Sequence, residues 1–104
     1  MSDHWLLGSW RLMRADSSLG FHAGTRMEFL SQGRLRYHIP VDDATLQVDL
    51  VWRLEGDLLH TDVVGAPNAR TVRVLHGAGD LLLLDFAGPR AMLVREDGRY
   101  IQNA

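Results

Sequence analysis

Apolar and polar residues alternate almost without interruption from Ala44 to Leu54, with Val51 as the one apolar residue in the polar set. A period of two places successive side chains on opposite faces of a β-strand, whereas a helix repeats every 3.6 residues. Antiparallel sheets with one packed face and one wet face show this alternation. The segment therefore predicts a long strand whose inner face carries the alternating set Ala44, Leu46, Val48, Leu50, Trp52 and Leu54.

The same period recurs in seven further segments that are separated by residues typical of turns. These predicted strands are Gly8–Asp16, Thr25–Leu30, Arg34–Ile39, Leu58–Val64, Arg70–His76, Leu81–Ala87 and Ala91–Glu96. Pro40 is expected to end the third strand, because proline cannot donate to a β-ladder. No segment has a helical period beyond a short turn that Asp3 can cap near the N-terminus. Eight short strands of this kind indicate an all-β sandwich or barrel.

The lengths of the connections favour a barrel. The longer ones fall at one end of an up-and-down meander (Ser17–Gly24, Pro40–Asp43, Gly65–Ala69 and the shorter Gly88–Arg90), and the others fall at the opposite end (Ser31–Gly33, Glu55–Asp57 and Gly77–Asp80). The first strand also starts at the rim where the eighth finishes. A chain of 104 residues has the usual size of one domain. We therefore predict a single all-β domain over residues 1–104, an eight-stranded antiparallel up-and-down barrel with a short N-terminal plug turn.

Gly8-Ser9-Trp10, together with Arg95 near the end of the chain, resembles the opening and closing signature of the lipocalin and calycin barrels. The hairpins Phe29–Leu35 and Gly79–Leu84 extend the likeness, which is closest to small bacterial lipocalin-like domains. The resemblance implies that Gly8 turns the chain into the first strand and that Trp10 packs under the core. It further implies that Arg95, from the last strand, covers the Trp10 ring.

Composition limits the classes of partner. The formal charge is −2, so the chain has no basic excess of the kind that nucleic-acid binding needs. It contains no cysteine, which excludes disulfides and thiolate-bound zinc. The longest apolar run, Leu81–Leu84, is far shorter than the ~20 residues that span a bilayer, and the N-terminus lacks the pattern of a signal peptide. We expect a cytoplasmic protein with no nucleic-acid or membrane partner.

Catalytic and metal-binding motifs are absent from the sequence. The five histidines (His4, His22, His38, His60 and His76) fall on five different elements, without the short spacings of a metal site. No nucleophile elbow, phosphate loop or His-Glu-x-x-His motif occurs. We therefore expect no metal and no cofactor, and an enzyme is the third of three candidate classes.

Four polar residues share the parity of the inner apolar set near the rim opposite Trp10, and they are the candidate ligand-binding residues: Arg14, Tyr37, Thr61 and Arg70. An arginine can bind a carboxylate through two hydrogen bonds, and a tyrosine hydroxyl can donate a third. This arrangement resembles the way in which calycins hold an acyl carboxylate. The alternative is that Arg14 and Arg70 extend from the strand ends into water.

The opposite parity of the last two strands places Leu81, Leu83, Met92 and Val94 on the outer wall. Contiguous apolar patches on a protein surface commonly mark an interface. The patch therefore predicts a homodimer, unless the C-terminal residues around Tyr100 and Ile101 fold back over it.

Two function classes lead. The first is the binding of a small apolar or amphipathic ligand, including an anionic one, inside the barrel. The second is an interaction module, acting as a homodimer, whose core is filled by its own side chains. Eight-stranded barrels support either, because their interior is just wide enough to be filled or to hold one small ligand. The large inner residues that would reduce the free volume are Trp10, Phe29, Tyr37, Trp52 and Phe86.

Overall fold

The protein is an eight-stranded antiparallel barrel in a computed structural model that describes residues 4–65, 69–77 and 80–96. Consecutive strands pair along the chain, and the last strand pairs with the first to close the barrel. The predicted fold class is therefore confirmed. The strands are β1 (Gly8–Ala15), β2 (Arg26–Leu30), β3 (Arg34–Val41), β4 (Ala44–Glu55), β5 (Leu58–Val63), β6 (Arg70–Gly77), β7 (Leu81–Asp85) and β8 (Arg90–Arg95).

Two strand ends differ by two residues from the sequence prediction, and the other ends agree with it to within one residue. β3 continues through Pro40 to Val41 instead of ending at Ile39. Because β2 pairs with β3 only from Arg34 to His38, the β2-facing edge of β3 needs no backbone donor beyond that point. β7 ends two residues early, at Asp85, where the Asp85 carboxylate accepts a hydrogen bond from the backbone N–H of Gly88 and organises the turn into β8.

The inner face of the wall forms the core, as the alternation predicts, except that Ala44 and Leu46 at the start of β4 are exposed. The buried apolar side chains are Leu6, Trp10, Met27, Phe29, Leu35, Leu50, Trp52, Leu59, Val72, Val74, Leu82, Leu84, Ala91 and Leu93. Their outer neighbours on the same strands are partly or fully exposed. Burial on a single face accounts for the fixed register of the strands, because a slip of one residue would turn every inner side chain to water.

A plug seals one end of the barrel, which we call the closed end. The 3₁₀ turn His4–Leu6 crosses beneath the strands, and the Trp10 indole N–H donates to the Leu6 carbonyl at 2.9 Å. The guanidinium of Arg95 stacks 4.2 Å from the centre of the Trp10 ring. It also donates to the backbone carbonyls of Leu7 and Trp5. The plug turn and the Trp10–Arg95 contact predicted from the sequence are confirmed.

The opposite end, which we call the open end, carries the connection between β1 and β2. A 3₁₀ turn at Ser17–Leu19 begins there, capped by the Asp16 carboxylate, which accepts from the backbone N–H of Ser18 at 2.9 Å. Gly20 ends the turn with φ 71°, a left-handed conformation that glycine adopts without strain. A predicted loop is thus an ordered segment that returns the chain across the barrel mouth.

Two sequence predictions concern residues at the chain ends. The capping residue Asp3 and the tail around Tyr100 and Ile101 both fall outside the described residues. Within residues 4–65, 69–77 and 80–96, no helix has the length and apolar character to cross a membrane.

Candidate functional site

A cavity of about 310 Å³ occupies the half of the barrel nearest the open end. Its walls come from six strands and two connections. The lining residues are Leu19, Gly20, Phe21, His22, Thr25, Met27, Tyr37, Ile39, Val48, Leu50, Leu59, Thr61, Val63, Arg70, Val72, Leu84 and Phe86. A small-molecule pocket typically has 300–1,000 Å³, so this cavity is at the small end of that range.

The depth of the cavity is limited by an aromatic pair. Met27 and Leu50 line the cavity, and the next inner residues toward the closed end are Phe29 and Trp52. The two aromatic rings meet edge to face with their centres 5.3 Å apart. The Trp52 indole N–H donates to the Leu30 carbonyl at 3.1 Å, which fixes the ring. Below this pair, the barrel is filled by its own side chains.

Three of the four predicted site residues lie together at the cavity. Tyr37 is on β3, opposite Met27 and Val48 of the neighbouring strands. Thr61 on β5 pairs directly with Arg70, the first residue of β6. Thr61 is buried, whereas Arg70 is exposed at the rim. The polar groups therefore cluster near the mouth, above an apolar interior.

The Tyr37 hydroxyl is held in its neutral, proton-donating form. Burial raises the pKa of this phenol, and the nearby positive charge of Arg70 partly offsets the rise. In the described part of the chain, no residue forms a hydrogen bond with the Tyr37 hydroxyl, nor does any with that of Thr61. Thr61 is buried and Tyr37 is half-buried, so a bound group that accepts a hydrogen bond from one of these hydroxyls gains about 0.5–1.5 kcal/mol.

Arg14 does not contribute to the cavity, and its predicted inward orientation is wrong. The β1–β8 register shifts between Leu12 and Arg14, which pairs Arg14 with Met92 on the outer wall. A β-bulge inserts one extra residue and so reverses the facing of the residues that follow it. Met13 occupies the irregular position and is 54% exposed. Arg14 is accordingly exposed on the outside of the barrel.

The connection between β1 and β2 covers the mouth of the barrel. The alternation of inward and outward residues along the strands does not by itself identify this cover. Its residues Leu19, Phe21 and His22 all line the cavity. The Phe21 ring lies 6.1 Å from that of Phe86 in the β7–β8 connection. The far end is fixed by Thr25, whose hydroxyl donates to the His22 carbonyl at 2.6 Å. The only sequence signal for this cover is the length of the connection.

The histidines on the strands lie away from the cavity chemistry. His38 contacts Glu28 at 3.2 Å, and His60 contacts Glu55 at 3.1 Å. Both contacts lie on the outer surface of the barrel. Across the described residues, no group of three or more metal-ligating side chains comes together. The site therefore offers hydrogen-bond donors and one positive charge around an apolar space, which is the chemistry of ligand binding.

Comparison with protein-family models, with curated proteins and with solved structures finds no match for this chain.

Proposed function

We propose that this protein binds a small amphipathic anion in the barrel cavity, with the apolar part of the ligand inside and a carboxylate at the mouth. One observation carries the proposal. The Tyr37 hydroxyl, which has no hydrogen bond among the described residues, lies near enough to the Arg70 guanidinium to be affected by its charge, and both line an apolar space. A carboxylate accepts hydrogen bonds only, and both groups donate. The likeness to lipocalin-like domains, carried by Trp10 and Arg95, supports the same class of function.

The charge of the mouth favours an anion over a neutral ligand. Arg70 takes part in none of the ion pairs formed among the described residues. Hydrogen bonds between charged partners contribute about 1.5–3 kcal/mol, which is roughly twice the contribution of neutral ones. Arg70 is exposed, so water screening places its effect toward the lower part of this range.

The test compares octanoate with octanol, which differ in head-group charge, by isothermal titration calorimetry. Arg70→Met should weaken octanoate binding about tenfold and leave octanol binding unchanged. Tyr37→Phe should weaken both ligands, because the hydroxyl can donate to either oxygen. Arg14→Met is the matched control, since it removes the same charge from the outer wall and should change neither affinity.

Two outcomes contradict the proposal. One is a wild-type protein that binds neither ligand at tens of micromolar. The other is an Arg70→Met variant that loses octanoate and octanol affinity equally, which would assign Arg70 a structural role.

A second candidate function, a homodimeric interaction module, is favoured by the outer wall. Leu81 pairs with Val94 and Leu83 with Met92, so these four side chains form one contiguous surface. Leu75 on β6 lies opposite Leu83 and extends this surface with a side chain that is 47% exposed. We call these five residues the β6–β8 patch. A second copy of the chain is the proposed occupant, because an isologous dimer buries the same patch on both subunits.

A further inference from the structure

The size and the floor of the cavity restrict the class of ligand more narrowly than its polarity does. We infer that the ligand is a short-chain amphipathic carboxylate, the size of octanoate or decanoate, and that Phe29 and Trp52 set this limit. The inference rests on the proposed function, since it concerns the same cavity.

The volume of the cavity limits the length of the ligand. At about 310 Å³ the cavity is near the lower limit of the roughly 300–1,000 Å³ that small-molecule pockets occupy, which suits a ligand with a short chain. A long-chain fatty acid would leave part of its chain in water. The affinity gain per methylene, about fourfold, should therefore stop once the chain reaches the floor.

A second layer of inner residues forms the floor of the cavity. Met27, Leu50, Val72 and Leu84 line the cavity, and the inner residues two positions further toward the closed end are Phe29, Trp52, Val74 and Leu82. Two residues along a strand correspond to roughly 6.6 Å of depth. Phe29 is 1% exposed and Trp52 is 7% exposed, and they are the bulkiest side chains of this second layer. Their rings meet edge to face in this layer, with their centres 5.3 Å apart.

Hydrogen bonds of Trp52 hold the floor in place. Trp52 is held by its indole hydrogen bond to Leu30 and by a backbone hydrogen bond to the Gly33 carbonyl at 2.8 Å. A Cβ on Gly33, which has φ 73°, would approach the Trp52 carbonyl oxygen to 3.2 Å, so the turn packs directly against this part of β4. A floor fixed at both side chain and backbone does not yield to a longer ligand.

The experiment titrates the wild-type protein with straight-chain monocarboxylates from hexanoate to palmitate and measures each affinity by isothermal titration calorimetry. Affinity should rise to an optimum at octanoate or decanoate and then level off or fall. Phe29→Ala opens on the order of 100 Å³ below the cavity and should move the optimum to dodecanoate or myristate. Phe29→Leu should move it in the same direction by less. Val72→Phe fills the cavity from its wall and should move the optimum toward hexanoate.

Leu6→Ala is the matched control, because Leu6 is fully buried in the plug and lies away from the cavity. It should lower stability without moving the optimum. The inference is overturned if wild-type affinity keeps rising to palmitate, or if folded Phe29 variants keep the wild-type optimum. If both Phe29 variants fail to fold, an unchanged optimum in Val72→Phe overturns it. Absence of binding at every chain length contradicts the proposed function instead, so the two failures are distinguishable.

Discussion

The guanidinium carbon of Arg95 lies 4.2 Å from the centre of the Trp10 ring, which is completely buried beneath the barrel. The first and last strands are paired at this point, with Trp10 opposite Arg95 in the register. The same guanidinium donates to carbonyls of the plug turn. One side chain thus joins the N-terminal segment, the first strand and the last strand, and it closes the barrel at the end away from the cavity.

Removing either partner should destabilise the fold. Trp10→Ala leaves a large cavity and should lower the free energy of unfolding by about 3–5 kcal/mol. Arg95→Met keeps most of the aliphatic stem but loses the cation–π contact and the carbonyl hydrogen bonds, for an expected loss of about 1–3 kcal/mol. Urea denaturation measures both. Arg11→Met, on the outer side of the same strand, is the control and should change little. A Trp10→Ala midpoint equal to that of the wild type would contradict the role of the plug.

Alkaline pH should destabilise the protein through Tyr37. Burial raises the pKa of this phenol in the folded state, so the unfolded chain releases the proton first as pH rises. The contribution of Tyr37 to stability is therefore fully present below the ordinary pKa of about 10 and is lost as pH rises through the folded pKa. The chain contains no lysine, and its one other tyrosine is Tyr100.

Ultraviolet absorbance of the phenolate measures this effect directly in a Tyr100→Phe background, in which Tyr37 is the only tyrosine. The midpoint should lie above that of free tyrosine in the folded protein. Tyr37→Phe should remove the corresponding slope from a plot of stability against pH. An ordinary midpoint in the folded protein would mean that the hydroxyl is open to water.

The barrel could be predicted from the sequence because the alternation that marks each strand is a local signal. Alternation along each strand fixes which residues face inward, and the glycine before Trp10 marks the start. Tyr37, Thr61 and Arg70 were placed at one end for the same reason, since the register of β3, β5 and β6 runs without a break through those positions.

Arg14 was misplaced because the bulge next to it has no marker in the sequence. The irregularity falls at Met13, where no glycine or proline signals a change in backbone geometry. A single extra residue is enough to move a charged side chain from the inner face to the outer one.

The cover and the cavity volume depend on contacts between distant segments. Phe21 reaches the mouth because its connection meets Phe86, sixty-five residues later in the chain. The free volume depends on how Phe29 and Trp52 share the lower half of the barrel. Neither relationship leaves a periodic signal.

Acid should loosen the cover before it unfolds the barrel. Hydrogen bonds from the Ser18 backbone and side chain lower the pKa of Asp16. The capping contribution is therefore present above the ordinary aspartate pKa of about 3.9 and is lost as pH falls through the lowered value. The amide resonance of Ser18 should follow this titration in NMR spectra. Asp16→Asn retains a capping oxygen and should remove the pH dependence while keeping the turn, whereas Asp16→Ala should speed amide exchange in the 3₁₀ turn at every pH.

The β6–β8 patch should mediate a dimer that one charge can break. A large apolar side chain transferred fully from water to an interface contributes about 1.5–3 kcal/mol. Leu75 is exposed, whereas the other four side chains of the patch are already half-buried, so each of those four contributes less. Leu83 is at its centre, paired with Leu75 on one side and Met92 on the other.

Leu83→Glu would place two carboxylates in an isologous interface, so sedimentation velocity should detect a dimer for the wild type and a monomer for this variant. Val51→Glu makes the same change on the outer wall of β4, where the side chain is 47% exposed, and should leave the dimer intact. A wild-type monomer at high micromolar concentration, or a dimer that persists in Leu83→Glu, would exclude this surface as the interface and leave the cavity as the remaining candidate site.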